Sequence, residues 1–184
     1  MKFYPQELRD LVKAWIAVSL AFTILYTNTP SFHLPKLFFI SVFTVGIGFI
    51  LHELGHKFIA TRYHLPSYFR ADNKMLLVML AMSFFGFIFA APGGVIFPAV
   101  AQRDKIGKIA FAGPFMNILL ALFFLATSFL SPVFKYGFFI NSWLALFNLI
   151  PFPGFDGFPV FRWNKIVYAF SLTTAAVLVL FTHL

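Results

Sequence analysis

Two histidines and a glutamate stand in the middle of an apolar run, in the stretch "FILHELGHKF" at residues 49–58. A charged side chain at a bilayer centre is unfavourable by about 3 kcal/mol on insertion scales, so ionisable groups in such a run mark function. His52 and His56 are four residues apart, which puts them one above the other on a single helical face. Glu53 directly follows the first. This is the H-E-x-x-H pattern, in which two imidazoles bind Zn²⁺ and the glutamate acts as general base toward the attacking water. A satisfied polar cluster or a water-filled kink is the competing reading of the same residues. Their apolar setting weighs against it, because unused polar groups there would only cost stability.

Composition tells what kind of scaffold holds these residues. The 184 residues are 60% hydrophobic and 11% charged, whereas a soluble domain carries about 25% charged residues. That balance reads as an integral, multi-pass membrane protein with the lipid bilayer as its surroundings. There is no cysteine, which excludes a disulfide scaffold and a thiolate metal site. The net charge of +8 does not point to nucleic acid. The basic residues sit singly beside apolar spans, where snorkelling and topology control account for them. The start, "MKFYPQELRDLVKAW", leads into no A-x-A-like cleavage site, so Leu11 to Tyr26 reads as a retained span.

Apolar runs fall at 11–26, 37–61, 75–91, 106–130, 136–150 and 166–182. Basic residues cluster on the cytoplasmic side of membrane proteins, and this rule separates two topologies. If 75–91 dips into the bilayer and returns, 12 of the 14 basic residues lie toward the cytoplasm and only Lys36 and Lys135 lie outside; if it crosses, the split is 8 to 6. The re-entrant path is favoured, with an ordinary span and a Pro-Gly loop after it as the alternative. The segment ends in Pro92-Gly93-Gly94, a break that permits a sharp return or a short strand. Near the other end, "NLIPFPGFDGF" at 148–158 stops a helix: Pro151 and Pro153 cannot continue it, and Gly154 and Gly157 loosen the chain beyond them. Of the six acidic residues, Glu7, Asp10, Asp72 and Asp104 read as terminal or loop groups, leaving Glu53 and Asp156 in or against the membrane core. With 75–91 re-entrant, Asp156 reaches the level of the histidines from the same side.

Three stretches, "HELGH" at 52–56, "AGPFMN" at 112–117 and "NLIPFPGFDG" at 148–157, together resemble the site-2 proteases, intramembrane zinc metalloproteases of peptidase family M50. The resemblance implies one Zn²⁺ per chain held by His52, His56 and Asp156, with Glu53 as general base. It also implies transmembrane protein substrates cut within or near the bilayer. The family places Asn117 and Asn148 close to the site, although interhelical hydrogen bonding is an equal reading of each amide. Gly93 and Gly94 look like part of the family's membrane-associated strand loop, here with an extra apolar insertion at about 75–91. Gly113-Pro114 also reads as a simple helix opening.

The expected fold is therefore an all-α polytopic membrane protein of five to six transmembrane helices with a membrane-associated re-entrant or β-strand loop. It forms a single integral membrane domain over 1–184, with a catalytic core at about 37–157 and no PDZ or other soluble domain. The N-terminus and the opening of the active site are expected to be cytoplasmic. A helical substrate hides its carbonyls and must unwind; "VIFPAV" at 95–100 and "IPFP" at 150–153 are extended stretches that could pair with it. Two other functions compete: a catalytically silent zinc-binding membrane scaffold and a transporter. An intact Glu53 argues against the first, since a structural zinc needs no base. A single broken helical segment argues against the second, which favours paired ones. Oligomeric state, substrate identity and trigger are not encoded in any stretch of the sequence.

Overall fold

A computed structural model describes residues 1–27, 33–88, 92–98 and 102–182. Helices account for 74% of it: α1 (Pro5–Leu25), α2 (Leu34–Arg62), α3 (Asn73–Ser83), α4 (Arg103–Ala126), α5 (Pro132–Asn148), α6 (Gly157–Trp163) and α7 (Lys165–Phe181). Two short strands, β1 (Tyr68–Ala71) and β2 (Gly93–Ile96), complete the described elements. Among the described residues, α2 and α4 are long and apolar enough to cross a membrane. The chain divides into two compact units, Met1–Ile50 with Tyr68–Ile96, and Leu51–Ser67 with Phe97–Leu184.

In the first unit α1 begins at Pro5, earlier than the apolar run alone suggests, because proline is well suited to a first helical turn that needs no donor. Its Leu11, Ala14, Val18 and Ala21 are buried, the three-to-four spacing of a packed stripe. Within α2 a π-helical turn spans Val42–Gly46. The Trp15 indole Nε1–H donates to the Val42 carbonyl at 3.2 Å, and a side chain on Gly46 would strike that indole.

Strands β1 and β2 pair antiparallel, Tyr68 opposite Ile96 and Ala71 opposite Gly93. Gly93 has φ +147°, and a Cβ there would collide with the Arg70 carbonyl, so the position suits only glycine. Two carboxylates cover β1: Glu7 accepts from the Phe69 N–H at 3.0 Å and Asp10 from the Ala71 N–H at 3.3 Å. Satisfying these donors blunts an edge that would otherwise pair with another chain. Glu7 is thus a buried group, not the terminal one expected from its position. Val95 and Ile96 lie in β2, whereas 99 and 100 fall outside the described residues. Residues 150–153 form no strand and turn back on themselves, with the Phe152 N–H bonded to the Ile150 carbonyl.

The apolar run at 75–91 becomes a helix only as far as Ser83. Asp72 caps it, accepting from the N–H groups of Lys74 and Met75 at 2.9 and 3.1 Å. A turn at Gly86, φ +85°, comes after it. Eleven residues rise only about 16 Å, roughly half of a bilayer's hydrocarbon core of about 30 Å.

The second unit packs α4, α5, α6 and α7 with the C-terminal part of α2. Its core joins Ile118, Ala121 and Phe124 of α4 to Phe138 and Ala145 of α5 and to Ala175 and Leu178 of α7. Gly137 lies against the Phe124 ring and Gly107 against Trp163, at distances that admit no side chain. Small residues let helix backbones approach closely in this way. Pro114 does not open a helix, as expected from Gly113-Pro114, but sits inside α4.

Candidate metal centre

α2 carries His52, Glu53 and His56 on consecutive turns, all three buried. Gly55, between them, lets the Ala112 carbonyl of α4 come within 2.9 Å of where a Cβ would be. One residue further along α4, Gly113 faces the imidazoles themselves. A Cβ on it would come within 2.6 Å of His52 Cε1 and closer still to His56 Nε2. Pro114 provides no N–H to the Ala110 carbonyl and disturbs the preceding turn, and in that turn the Ile109 carbonyl accepts a hydrogen bond from His56 Nδ1 at 2.7 Å. Gly113 thus supplies the space, and the Ile109 carbonyl one turn earlier the acceptor, that the second histidine uses.

The third group arrives on the segment between α5 and α6. Gly154 adopts φ +100°, and Gly157 lies so near the Leu149 carbonyl that no side chain would fit. These two glycines fold 150–156 tightly over the end of α5. Asp156 occupies the N-cap position of α6, yet its side chain caps nothing. Its Oδ2 instead lies 3.1 Å from His52 Nε2 and 3.3 Å from His56 Nε2, and the two Nε2 atoms are 3.0 Å apart.

Hydrogen bookkeeping shows what such a triangle can hold. A carbonyl oxygen only accepts, so His56 Nδ1 carries the hydrogen and, in the neutral ring, Nε2 is a bare lone pair. His52 Nδ1 faces Asn117 Oδ1 at 2.7 Å, which puts its ring in the same state. With both rings neutral, three lone-pair donors therefore converge with no hydrogen among them. Tetrahedral zinc at about 2.0–2.2 Å from each donor would space them roughly 3.3–3.6 Å apart, a little wider than the 3.0–3.3 Å observed. Both imidazoles give their second nitrogen to an oxygen, the arrangement that orients metal-binding histidines. The residues fit a divalent metal.

The chain is 37% identical over 177 residues, 91% of its own length and 90% of the relative's, to MJ0611 of Methanocaldococcus jannaschii, whose name provisionally assigns it as a zinc metalloprotease. The chain belongs to that zinc metalloprotease family. No family model matches it, and no solved structure does.

Glu53 neighbours His52 on α2 and is 6% exposed, but its carboxylate is not among the three converging donors. Asn117 contacts His52 directly. Asn148 donates to the Leu144 carbonyl of its own helix at 2.9 Å. Gly93 and Gly94 belong to β2 in the first unit. Three participants escaped the sequence reading: the Ile109 carbonyl, Gly113 as the space beside the imidazoles, and Asn141, whose Oδ1 accepts from Asn117 Nδ2 at 3.2 Å. For Asn141 a signal existed, an amide in the apolar stretch "FFINSW". For the Ile109 carbonyl none did.

Proposed function

We propose that this chain is an intramembrane zinc endopeptidase of the site-2 protease type, hydrolysing peptide bonds within or near transmembrane segments of other membrane proteins. The observation that carries the reading is the convergence of His52, His56 and Asp156 on one point beside Glu53, with both histidines on a helix apolar enough to cross a bilayer. Zinc, when bound there, supplies Lewis acidity that makes water nucleophilic near neutral pH and polarises a carbonyl. Three protein ligands leave a fourth tetrahedral position open, the pattern of catalytic and not of structural sites. Glu53 takes the proton as water attacks the peptide carbonyl and returns it to the leaving amine, so each turnover consumes one water and frees one new carboxyl and one new amine.

The chain acts in this reading as one integral membrane domain of five to six spans, with its catalytic core at about 37–157, α3 dipping into the bilayer, and the N-terminus and site opening on the cytoplasmic side. The 12-to-2 distribution of basic residues supports it. So does the shortness of α3 against the hydrocarbon thickness. Substrates are membrane proteins whose helix unwinds to expose a carbonyl. The test is purification, metal analysis, and incubation with a panel of single-span membrane proteins with and without a chelator. About one zinc per chain and chelator-sensitive cleavage inside a span are expected; stoichiometric zinc with every substrate intact would favour the scaffold.

A further inference from the structure

The metal triangle works only if His52 presents a bare Nε2, and Asn117 alone does not guarantee that. A carboxamide has an oxygen and an NH₂ of nearly the same shape. Turned over, Asn117 would aim its NH₂ at His52 Nδ1, which would have to accept, and the ring hydrogen would move to Nε2 and point into the triangle. His56 has no such ambiguity, because a main-chain carbonyl holds it.

We infer that Asn141 is a positioning residue that, acting through Asn117, locks His52 in the one neutral tautomer able to bind metal. This rests on the zinc site proposed above. Asn141 Nδ2 lies 2.9 Å from the Gly137 carbonyl one turn earlier in α5. That oxygen cannot donate, so the NH₂ end must face it and Oδ1 must point away. Oδ1 in turn can only accept, and at 3.2 Å it requires the NH₂ of Asn117. The Asn117 oxygen is then left for His52 Nδ1–H at 2.7 Å. Each orientation is forced by the one before, starting from a backbone atom that has no alternative. Asn117 and Asn141 are both 0% exposed, so bulk water cannot substitute for either partner.

Two substitutions separate this role from mere packing. Asn141→Leu keeps the bulk and removes both polar atoms; Asn141→Asp keeps an oxygen toward Asn117 in either protonation state. If Asn141 only fills space, leucine is tolerated and the buried acid is the worse change. For an orienting residue the order reverses. Zinc affinity, measured by chelator competition, should fall about 10–100-fold in Asn141→Leu and stay within about threefold in Asn141→Asp, which still accepts from Asn117. The second readout needs neither zinc nor activity. ¹⁵N spectra of zinc-free, histidine-labelled protein, with His33, His64 and His183 replaced by glutamine, should show His52 protonated at Nδ1 in wild type and in Asn141→Asp. In Asn141→Leu it should shift toward the Nε2–H form. Wild-type affinity and an Nδ1–H His52 in Asn141→Leu would overturn the inference. If the leucine variant does not fold, loss of zinc and of the Nδ1–H form in a folded Asn141→Asp would overturn it as well. A wild-type chain that binds no zinc would defeat the metal reading, while the tautomer spectra would still decide the role of Asn141.

Discussion

The Nε2 atoms of His52 and His56 stand 3.0 Å apart, and with both rings neutral and protonated at Nδ1 neither carries the hydrogen that a bond between them would need. Asp156 Oδ2 completes the triangle at 3.1 and 3.3 Å. A single proton could relieve one edge of this figure. A divalent cation relieves all three, which makes the metal part of the fold's electrostatic balance as well as of its chemistry.

Glu53 divides metal binding from proton transfer. Glu53→Gln should retain about one zinc per chain, because the glutamate is not one of the converging donors. Cleavage should fall at least about 10²–10⁴-fold, the usual loss of a general base, and further if the same group also serves the leaving amine. Zinc content and turnover on one preparation provide the check, and an active Glu53→Gln protein would return the scaffold and transporter readings to contention.

Asp156 is tested against two other aspartates. Asp156→Asn keeps the shape of the ligand and loses its charge, so zinc binding should weaken and cleavage disappear. Asp72→Asn should be nearly silent, since asparagine caps a helix as well as aspartate does. Asp104→Asn removes only a solvent-exposed contact to Lys108 at 3.5 Å, of a kind that solvent screening leaves weak. All three proteins should be compared at matched expression for metal and activity.

Gly113→Ala provides a purely steric test. The added methyl group would favour the helix by up to about 1 kcal/mol on propensity alone, yet it would press on both imidazoles. The expected result is a zinc affinity at least about tenfold lower, as for other disturbances of ligand support, without loss of helix content. Circular dichroism and chelator competition together read the two effects apart.

Topology can be read with single cysteines, because the chain contains none. His33→Cys and Lys135→Cys should react with an impermeant reagent from outside the cell. Arg103→Cys and Arg162→Cys should react only from the cytoplasm. Labelling of Arg103→Cys from outside would remove the re-entrant path of α3.

The three converging side chains were legible because zinc chemistry demands particular residue types, and few ionisable groups occupy the apolar stretches. The helix breaks at 92–94 and 148–157 were legible because proline and glycine act locally. The surroundings of the ligands were not. α4 is apolar nearly all the way round, so its sequence does not reveal which side faces the histidines, and Gly113 and Ile109 look like any other small and branched residues. Asn141 could be seen as a buried amide, but its partner depends on the relative rotation of two such helices. Glu7 misled for a related reason: its position near the chain start suggested solvent, while its carboxylate is bound to a strand N–H sixty-two residues away.

The spacing of the three ligands along the chain has a consequence for biosynthesis. His56 and Asp156 are separated by 156 − 56 = 100 residues. During translation the histidine pair is therefore made long before its carboxylate partner. Two neutral imidazoles hold zinc without the charge that Asp156 brings, so firm capture must wait until α5 and the turn after it have been synthesised. The earlier helices are thus made without the metal firmly bound. A cell short of zinc would accumulate chains that are fully made but empty at the triangle, open to the metal when it returns.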